Sequence, residues 1–303
     1  MSIEKDDAPT NHPGTPEKPL GSLSIPCTDF GGIGAPLHFL HANGYPPACY
    51  TPLIGLLTQR FHVTGMHLRP LWPDSKPEGL SDWHPLADDF LRFLSDREPG
   101  PVIGVGHSVG GIVALRAALR EPRRFRALVL IDPVLFPPYF ILLWNLVRAA
   151  GLGWKHHPKI PGALNRRRHF DDLDTVFRGY RRRDVFRNFS DESLRAYIKG
   201  MTRPHADGGY ELVYSPEWEA LIYYTGIWRD LDIWRGLKTL RVPTLIVRGA
   251  QSDTFWAKTA ARVRRANPKV RIEAVEAAGH LVPLEEPEKV SRLIIEFAGH
   301  ITP

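Results

Sequence analysis

The feature of this chain that most constrains its fold is the alternation of short apolar runs with segments of helical period. Buried strands are predicted at six apolar, β-rich runs: 37–40, 61–66, 102–105, 127–131, 244–247 and 270–275. Helix-period segments lie between most of these runs, at about 48–60, 84–97, 108–120, 256–266 and 286–299. Since parallel strands need crossover connections, the alternation predicts right-handed βαβ units. The expected fold is an α/β structure with a mainly parallel sheet and helices on both faces.

One long segment interrupts this alternation. Residues 134–240 contain no convincing strand, but they contain three helix-like stretches, 139–150, 190–201 and 216–228. Five of the eight tryptophans also lie in this segment. We therefore predict an inserted helical cap at 134–240, on a core formed by 21–133 and 241–303. The tryptophans would suit a lid over an apolar pocket, and packing inside the cap explains them equally well.

Composition excludes several classes of protein. The 303 residues are 43% hydrophobic and 24% charged, with a mean hydropathy of -0.23, which is typical of a globular chain. Residues 1–20 are rich in proline and polar residues and are predicted to be a disordered tail. Cys27 and Cys49 are too few for a disulfide framework and lack metal-ligand spacing. Because we find neither the pattern of a signal peptide nor an apolar stretch that could span a bilayer, we expect a cytoplasmic protein.

The chain is basic, with a formal net charge of +6 and a pI near 9.4. Its densest basic runs are 166–168 and 181–183. Several aspartates lie among them, namely Asp171, Asp172, Asp174 and Asp184. This mixture favours a solvated helical face, and we expect no nucleic-acid partner. A surface that attracts anionic substrates or acidic lipids is the alternative.

Ser108 lies in a motif that is typical of a nucleophile. The segment Gly106-His107-Ser108-Val109-Gly110 matches G-x-S-x-G, directly after the predicted strand 102–105 and before a helix-like segment. A serine on such a tight turn projects its hydroxyl into a cleft, and glycines are needed on both sides because side chains there would collide with backbone. The alternative is an ordinary serine in a glycine-rich turn. The strand before the motif and the helix after it favour the nucleophile.

A serine hydroxyl is a weak nucleophile at neutral pH, so it needs a base and a group that orients the base. We predict His280 as the base, because it follows the last predicted strand and precedes a helix. Asp253 follows the predicted strand 244–247, and the carboxyl ends of parallel strands meet at one edge of a sheet. We therefore predict that Asp253 orients His280. Asp253 could instead cap the next helix, and Asp132, at the end of another predicted strand, is then the alternative.

The tetrahedral intermediate of acyl transfer also needs an oxyanion hole, which is a pair of hydrogen-bond donors. One donor should be the backbone N–H of Val109, the residue after the nucleophile. The second should come from the loop after the predicted strand 37–40, and we assign it to the backbone N–H of Tyr45, next to Gly44. The alternative is that this loop is only a turn that caps the following helix.

These motifs together resemble the α/β-hydrolase superfamily, in the subgroup with a helical cap inserted after the sixth strand. The resemblance covers about 37–299 and depends on the Ser108 motif, the Asp253 loop and Gly279-His280, in the chain order Ser, Asp, His. It implies a serine hydrolase that acts through an acyl-enzyme, with a pocket between the sheet edge and the cap. Two loops depart from the family pattern: His41-Ala42-Asn43-Gly44 stands where His-Gly is common, and 68–73 replaces a familiar Arg-Gly-His-Gly loop.

The nucleophile narrows the expected chemistry. Haloalkane dehalogenases and the related epoxide hydrolases have an aspartate at the position of Ser108, so those activities are not expected. The leading hypothesis is a carboxylic ester hydrolase for a moderately large apolar substrate. Hydrolysis of lactones, thioesters or C–C bonds, and perhydrolysis, would use the same residues. A small-molecule receptor on the same fold is an alternative from another class.

The segment 140–147 is apolar, and Arg148 and Lys155 follow it. It could form an interfacial helix of a lipase-like lid that contacts a membrane. The same pattern arises when a cap helix packs over its own protein, and we favour packing. No metal, nucleotide or phosphate-loop motif stands out, so no cofactor and no metal is expected. The sequence does not predict the oligomeric state.

Overall fold

A seven-stranded sheet forms the centre of the computed structural model, which describes residues 24–301. Its strands are β1 (Cys27–Gly31), β2 (Ala35–Leu40), β3 (Phe61–Met66), β4 (Val102–His107), β5 (Phe125–Ile131), β9 (Thr244–Gly249) and β10 (Arg271–Val275). They lie in the order β1-β3-β2-β4-β5-β9-β10, and only β1 runs antiparallel to its neighbour. The predicted α/β fold is therefore confirmed. The tail predicted at 1–20 lies outside the described residues.

Strand β1 is the one strand of this sheet that the sequence did not predict. Its residues, Cys-Thr-Asp-Phe-Gly, are half-buried or exposed and show no apolar run. It lies at the edge of the sheet, where only one neighbour covers it. An edge strand needs less apolar surface than a central one, and this explains why the apolar pattern missed it.

Helices cover both faces of the sheet. They are α1 (Thr51–Leu57), α2 (His84–Arg97), α3 (Val109–Arg120), α11 (Ala257–Ala266), α12 (Val282–Glu285) and α13 (Pro287–Gly299). Side chains of one strand alternate between two apolar clusters: Leu128 and Leu130 of β5 pack with α2, α3 and α11, whereas Val129 and Ile131 pack with α1, α12 and α13. Both faces of the central strands are thus buried, as a parallel sheet requires.

The segment between β5 and β9, called the insertion here, is mostly helical. Its helices are α4 (Pro138–Ala149), α5 (Gly153–His156), α6 (Ile160–Leu164), α7 (Leu173–Arg181), α8 (Asp191–Met201), α9 (Pro216–Thr225) and α10 (Leu231–Leu237). It also holds a small antiparallel sheet of β6 (His169–Phe170), β7 (Thr202–Pro204) and β8 (Tyr210–Leu212), in the order β6-β8-β7. These strands of two or three residues are too short for a sequence pattern. That residues 134–240 form a separate cap domain stays a prediction.

Within residues 24–301, no helix has both the length and the apolar character that crossing a membrane requires.

Candidate active site

Ser108 lies on the sharp turn between β4 and α3. Its backbone is in the left-handed region, with φ 57° and ψ −118°. The turn is closed by glycines, because a Cβ on Gly106 would lie 2.2 Å from the carbonyl oxygen of Gly110. A Cβ on Gly110 would lie 2.3 Å from the carbonyl oxygen of Leu40. Since these neighbours are backbone atoms that cannot rotate away, only glycine fits at either position.

A line of hydrogen bonds joins Ser108, His280 and Asp132. The Oγ of Ser108 lies 3.0 Å from Nε2 of His280, and Nδ1 of His280 lies 2.9 Å from Oδ1 of Asp132. His280 stands in the loop after β10, where the N–H of Gly279 donates to the Glu285 carboxylate at 2.5 Å. Burial raises the pKa of Glu285. The arrangement lets His280 accept the Ser108 proton while its other nitrogen donates to a carboxylate.

Asp132 directly follows β5 and is completely buried. Besides His280, it has two further donors. The N–H of Gly249 donates to Oδ2 at 2.9 Å, and the hydroxyl of Ser252 donates to Oδ1 at 2.5 Å. Three donors on one carboxylate satisfy a buried charge and fix its orientation toward the imidazole.

The structure does not bring Asp253, the predicted orienting residue, to His280. Asp253 is exposed and its carboxylate faces Lys159, with 3.8 Å between Oδ2 and Nζ. Nearby groups displace some water from the Asp253 carboxylate, which alone would raise its pKa, but Lys159 and the hydroxyl of Thr254 lower the pKa of this carboxyl below its usual value. Asp132 and Asp253 follow the neighbouring strands β5 and β9. The expectation that carboxyl ends of parallel strands meet at one edge of the sheet therefore applied to both aspartates. The structure brings the alternative, Asp132, to His280.

The backbone N–H groups around Ser108 identify candidate oxyanion donors. Val109 begins α3, and its N–H has no acceptor among residues 24–301. The expected second donor, Tyr45, is already engaged, since its N–H donates to the carbonyl oxygen of Ala42 at 3.2 Å. In the same loop the N–H of Asn43 has no acceptor within the described part of the chain, although the residue is buried. Asn43 therefore replaces Tyr45 as the candidate.

The side chain of Asn43 is fixed by the insertion. Its Nδ2 donates to the carbonyl oxygen of Glu219 at 2.9 Å, and the Tyr214 hydroxyl donates to its Oδ1 at 3.0 Å. Gly44 follows with φ 75°, and a Cβ there would lie 3.0 Å from both Arg166 and Glu219. The insertion therefore packs directly against the loop that carries the candidate oxyanion donor.

Comparison with known proteins assigns the chain to a family. A sequence model described as "Alpha/beta hydrolase family" matches residues 39–293. The chain belongs to the alpha/beta hydrolase family. The resemblance inferred from the Ser108 motif is thereby confirmed.

Several relatives match this alpha/beta hydrolase over most of its length. The 2-(acetamidomethylene)succinate hydrolase of Mesorhizobium japonicum is 26% identical over 266 residues, which are 88% of each chain. The pimeloyl-[acyl-carrier protein] methyl ester esterase of Legionella pneumophila is 23% identical over 270 residues, 89% of this chain and 97% of the relative. A crystal structure of E-2-(acetamidomethylene)succinate hydrolase superposes with a TM-score of 0.69 at 24% identity, covering 89% of this chain and 93% of the other. At this identity the structural likeness shows the fold alone.

A buried chain of hydrogen bonds connects the three loops of this alpha/beta hydrolase site. The N–H of Ala42 donates to the Tyr50 hydroxyl at 3.2 Å, and Tyr50 lies 2.7 Å from Nδ1 of His107. Nε2 of His107 lies 2.9 Å from the carbonyl oxygen of His280. All partners are satisfied if Tyr50 donates to Nδ1 and the neutral imidazole of His107 donates from Nε2. Burial and the nearby His280 lower the pKa of His107 well below its usual value, which favours this neutral form. No sequence pattern predicted this role of His107.

Arg166 lies beside the Asn43 loop and is paired. Its Nη1 lies 2.5 Å from Oε2 of Glu219, and its Nη2 donates to the Tyr197 hydroxyl at 3.3 Å. Burial opposes the charge of Arg166, but Tyr197 and Glu219 hold the pKa of its guanidinium above its usual range. The predicted solvated face at 166–168 therefore does not apply to Arg166, whose side chain is mostly buried. This buried cation is already neutralised by a carboxylate.

One group of side chains in residues 24–301 could hold a metal ion. It consists of His169, His205 and Glu211 on the small sheet of the insertion, whose ligand atoms lie within 4.8 Å of one another. Glu211 also accepts a hydrogen bond from Nε of Arg203 at 2.8 Å, and a cation beside the carboxylate opposes metal binding. The group shares no hydrogen bond with Ser108.

Proposed function

We propose that this alpha/beta hydrolase is a serine hydrolase that cleaves a carboxylic ester through an acyl-enzyme intermediate. The observation that carries the proposal is the line of hydrogen bonds from Ser108 to His280 to Asp132, starting at a strained turn. Nucleophile, base and orienting carboxylate have the mutual geometry that serine hydrolysis requires.

In acylation, Ser108 Oγ attacks the acyl carbon while its proton moves to Nε2 of His280. Asp132 stabilises the imidazolium that results. The carbonyl oxygen becomes an oxyanion, and the N–H groups of Val109 and Asn43 donate to it. His280 then returns the proton to the departing alkoxide, and the alcohol leaves.

Deacylation repeats these steps with water. His280 removes a proton from a water molecule, and the hydroxide attacks the acyl carbon of the Ser108 ester. The second tetrahedral intermediate uses the same two donors. When it collapses, the proton on His280 passes to Ser108 Oγ and the carboxylic acid is released.

The surroundings of the Asn43 loop support an uncharged acyl group. The relative from Mesorhizobium is named for a succinate, which is a dicarboxylate. Here the buried cation beside the loop, Arg166, is paired with Glu219 and does not offer a free charge to a carboxylate. The rings of Tyr45 and Tyr197 lie 4.9 Å apart in the same region and add apolar surface.

The first experiment measures hydrolysis of p-nitrophenyl esters, from acetate to long acyl chains, by the wild type and by Ser108→Ala. We expect Ser108→Ala to lower kcat by at least roughly a thousandfold, because the nucleophile is lost. The matched control is Ser291→Ala, a buried serine whose hydroxyl donates only to a helix carbonyl of Glu288, and it should retain activity. Equal rates for wild type and Ser108→Ala would contradict the proposal.

Thioester hydrolysis is the second candidate because several relatives are named for it. Two proteins of Penicillium brevicompactum named type I acyl-CoA thioesterase are 31% identical over 116 residues, which are 32% of this chain and 26% of each relative. An ester and a thioester with the same acyl chain should therefore be compared. A higher kcat/KM for the thioester would make the protein a thioesterase with the same Ser108 chemistry. One product released per enzyme, without turnover, would instead indicate a receptor.

A further inference from the structure

Helix α4 presents an apolar face to solvent. Tyr139, Leu142, Leu143 and Leu146 are between 52% and 69% exposed. Their spacing of i, i+3, i+4 and i+7 places them on one side of the helix. Of the nine large apolar side chains that are exposed within residues 24–301, seven lie between 139 and 164. Such a cluster is unusual, since monomeric proteins expose large apolar residues mostly singly.

The opposite side of α4 is already packed. Ile141 is fully buried, and Phe140 and Trp144 pack against the apolar cluster of the core. The packing that the sequence favoured for 140–147 therefore describes the inner face only. A helix that is apolar on all sides is normally covered on all sides, and here the outer face has no cover from the described residues.

The segment that carries this face is strongly basic. Residues 133–170 contain six Lys or Arg residues and no Asp or Glu. Four of these cations, Lys159, Arg166, Arg167 and Arg168, pair with carboxylates outside the segment, and Arg148 packs on the rings of Tyr224 and Trp228. A seventh cation comes from α11, where Nζ of Lys258 lies 5.4 Å from the ring of Tyr139. Lys155 and Lys258 are exposed and form no ion pair with a described residue.

We propose that the outer face of α4 docks on the surface of an anionic phospholipid bilayer. Leucine and tyrosine side chains enter the boundary between headgroups and acyl chains, and the unpaired Lys155 and Lys258 contact the negative headgroups. A second copy of the chain fits less well, because two such faces would bring the unpaired lysines of both copies together. The proposal does not depend on the proposed function.

The inner side of α4 contacts the loop that follows β9, where the rings of Phe140 and Trp256 lie 5.4 Å apart. Lys159, in the same basic segment, faces Asp253 at the carboxyl end of β9, and Ser252 beside it donates to Asp132. The segment that carries the proposed docking face therefore contacts the loop whose Ser252 donates to Asp132.

The test is flotation of the full chain with phosphatidylcholine vesicles that contain one quarter phosphatidylglycerol. We expect at least about tenfold more bound protein than with phosphatidylcholine alone, and less binding as salt is raised. No binding to the anionic vesicles would overturn the proposal.

Two pairs of variants separate the apolar and the charged contributions. Leu143→Asn with Leu146→Asn should lower vesicle binding at least about tenfold, because the buried apolar area is lost. The matched control, Ile33→Asn with Val185→Asn, changes two exposed apolar residues elsewhere and should leave binding unchanged. Lys155→Gln with Lys258→Gln should also lower binding about tenfold, whereas Lys199→Gln with Lys269→Gln should not.

Light scattering of each variant without lipid completes the test. All substituted side chains are exposed, so the fold should be retained, and circular dichroism checks it. If the wild type were a dimer that Leu143→Asn with Leu146→Asn converts to a monomer, the face would be an interface between copies and the proposal would be wrong. Equal flotation of the wild type and that variant would also overturn it.

Discussion

At the scale of single residues, Asp132 and Asp253 differ in burial and in donors, although each follows a core strand. Asp132 is fully buried and has His280, Gly249 and Ser252 as donors, whereas Asp253 is exposed beside Lys159. A buried carboxylate with fixed donors can orient an imidazole. An exposed one that faces a lysine cannot do so from that position.

The first prediction compares Asp132→Asn with Asp253→Asn. Asp132→Asn should lower kcat by roughly 10³–10⁴-fold, because the amide no longer stabilises the imidazolium and can favour the wrong tautomer of His280. Asp253→Asn should stay within about threefold of the wild type, since its carboxylate does not contact His280. Steady-state ester hydrolysis measures both, and the opposite order of effects would restore Asp253 as the orienting residue.

At the scale of elements, the position of α3 relative to β2 fixes the site. The first turn of α3 lies so close to the end of β2 that a Cβ at Gly110 would approach the carbonyl oxygen of Leu40 to 2.3 Å. This approach brings the N–H of Val109 near the loop that follows β2. A glycine normally weakens a helix. At Gly110 a glycine is nevertheless required, because the backbones of α3 and β2 are in close contact.

The second prediction compares two substitutions of glycine by alanine inside helices. Gly110→Ala should lower the free energy of unfolding by about 3 kcal/mol, because backbone must move to admit the methyl group. Gly179→Ala, in α7, meets open space and should raise it by about 0.5–1 kcal/mol through helix propensity. Urea unfolding measures both changes. A Gly110→Ala protein as stable as the wild type would show that α3 and β2 do not pack this closely.

At the scale of the whole molecule, the fold buries histidines in their neutral form. Burial lowers the pKa of His41 to about 3, and burial with the nearby His280 lowers the pKa of His107 well below 6.5. In the unfolded chain both should titrate near 6.5. As the pH falls through 6.5, the unfolded state binds protons that the folded state does not bind, so stability is lost on the acidic side.

The third prediction concerns this loss of stability below pH 6.5. Between pH 6.5 and pH 5.5, the free energy of unfolding should fall by about 2 kcal/mol from these two residues together. Urea unfolding at the two pH values measures the change, and potentiometric titration of folded and unfolded protein counts the protons. If stability were unchanged or higher at pH 5.5, with no proton uptake on unfolding, the two rings would not be held neutral.

The local patterns of the sequence determined six of the seven strands of the main sheet and the turn at Ser108. An apolar run is a local property, and so is the need for glycine at Gly106, whose neighbour is Gly110 in the same turn. The need for glycine at Gly110 is tertiary, because the atom it approaches belongs to Leu40. The chain order also pointed to His280, which the structure brings to 3.0 Å from Ser108.

Only the tertiary structure decided which of two strand-end aspartates reaches His280 and which N–H of the loop after β2 lacks an acceptor. It also decided which face of α4 is covered. Each of these three outcomes depends on distances between groups that are far apart in the sequence. A rotation of a single turn or side chain is enough to place a different residue at the site. Apolar periodicity records that a residue is buried, but it does not record which distant atom the residue meets.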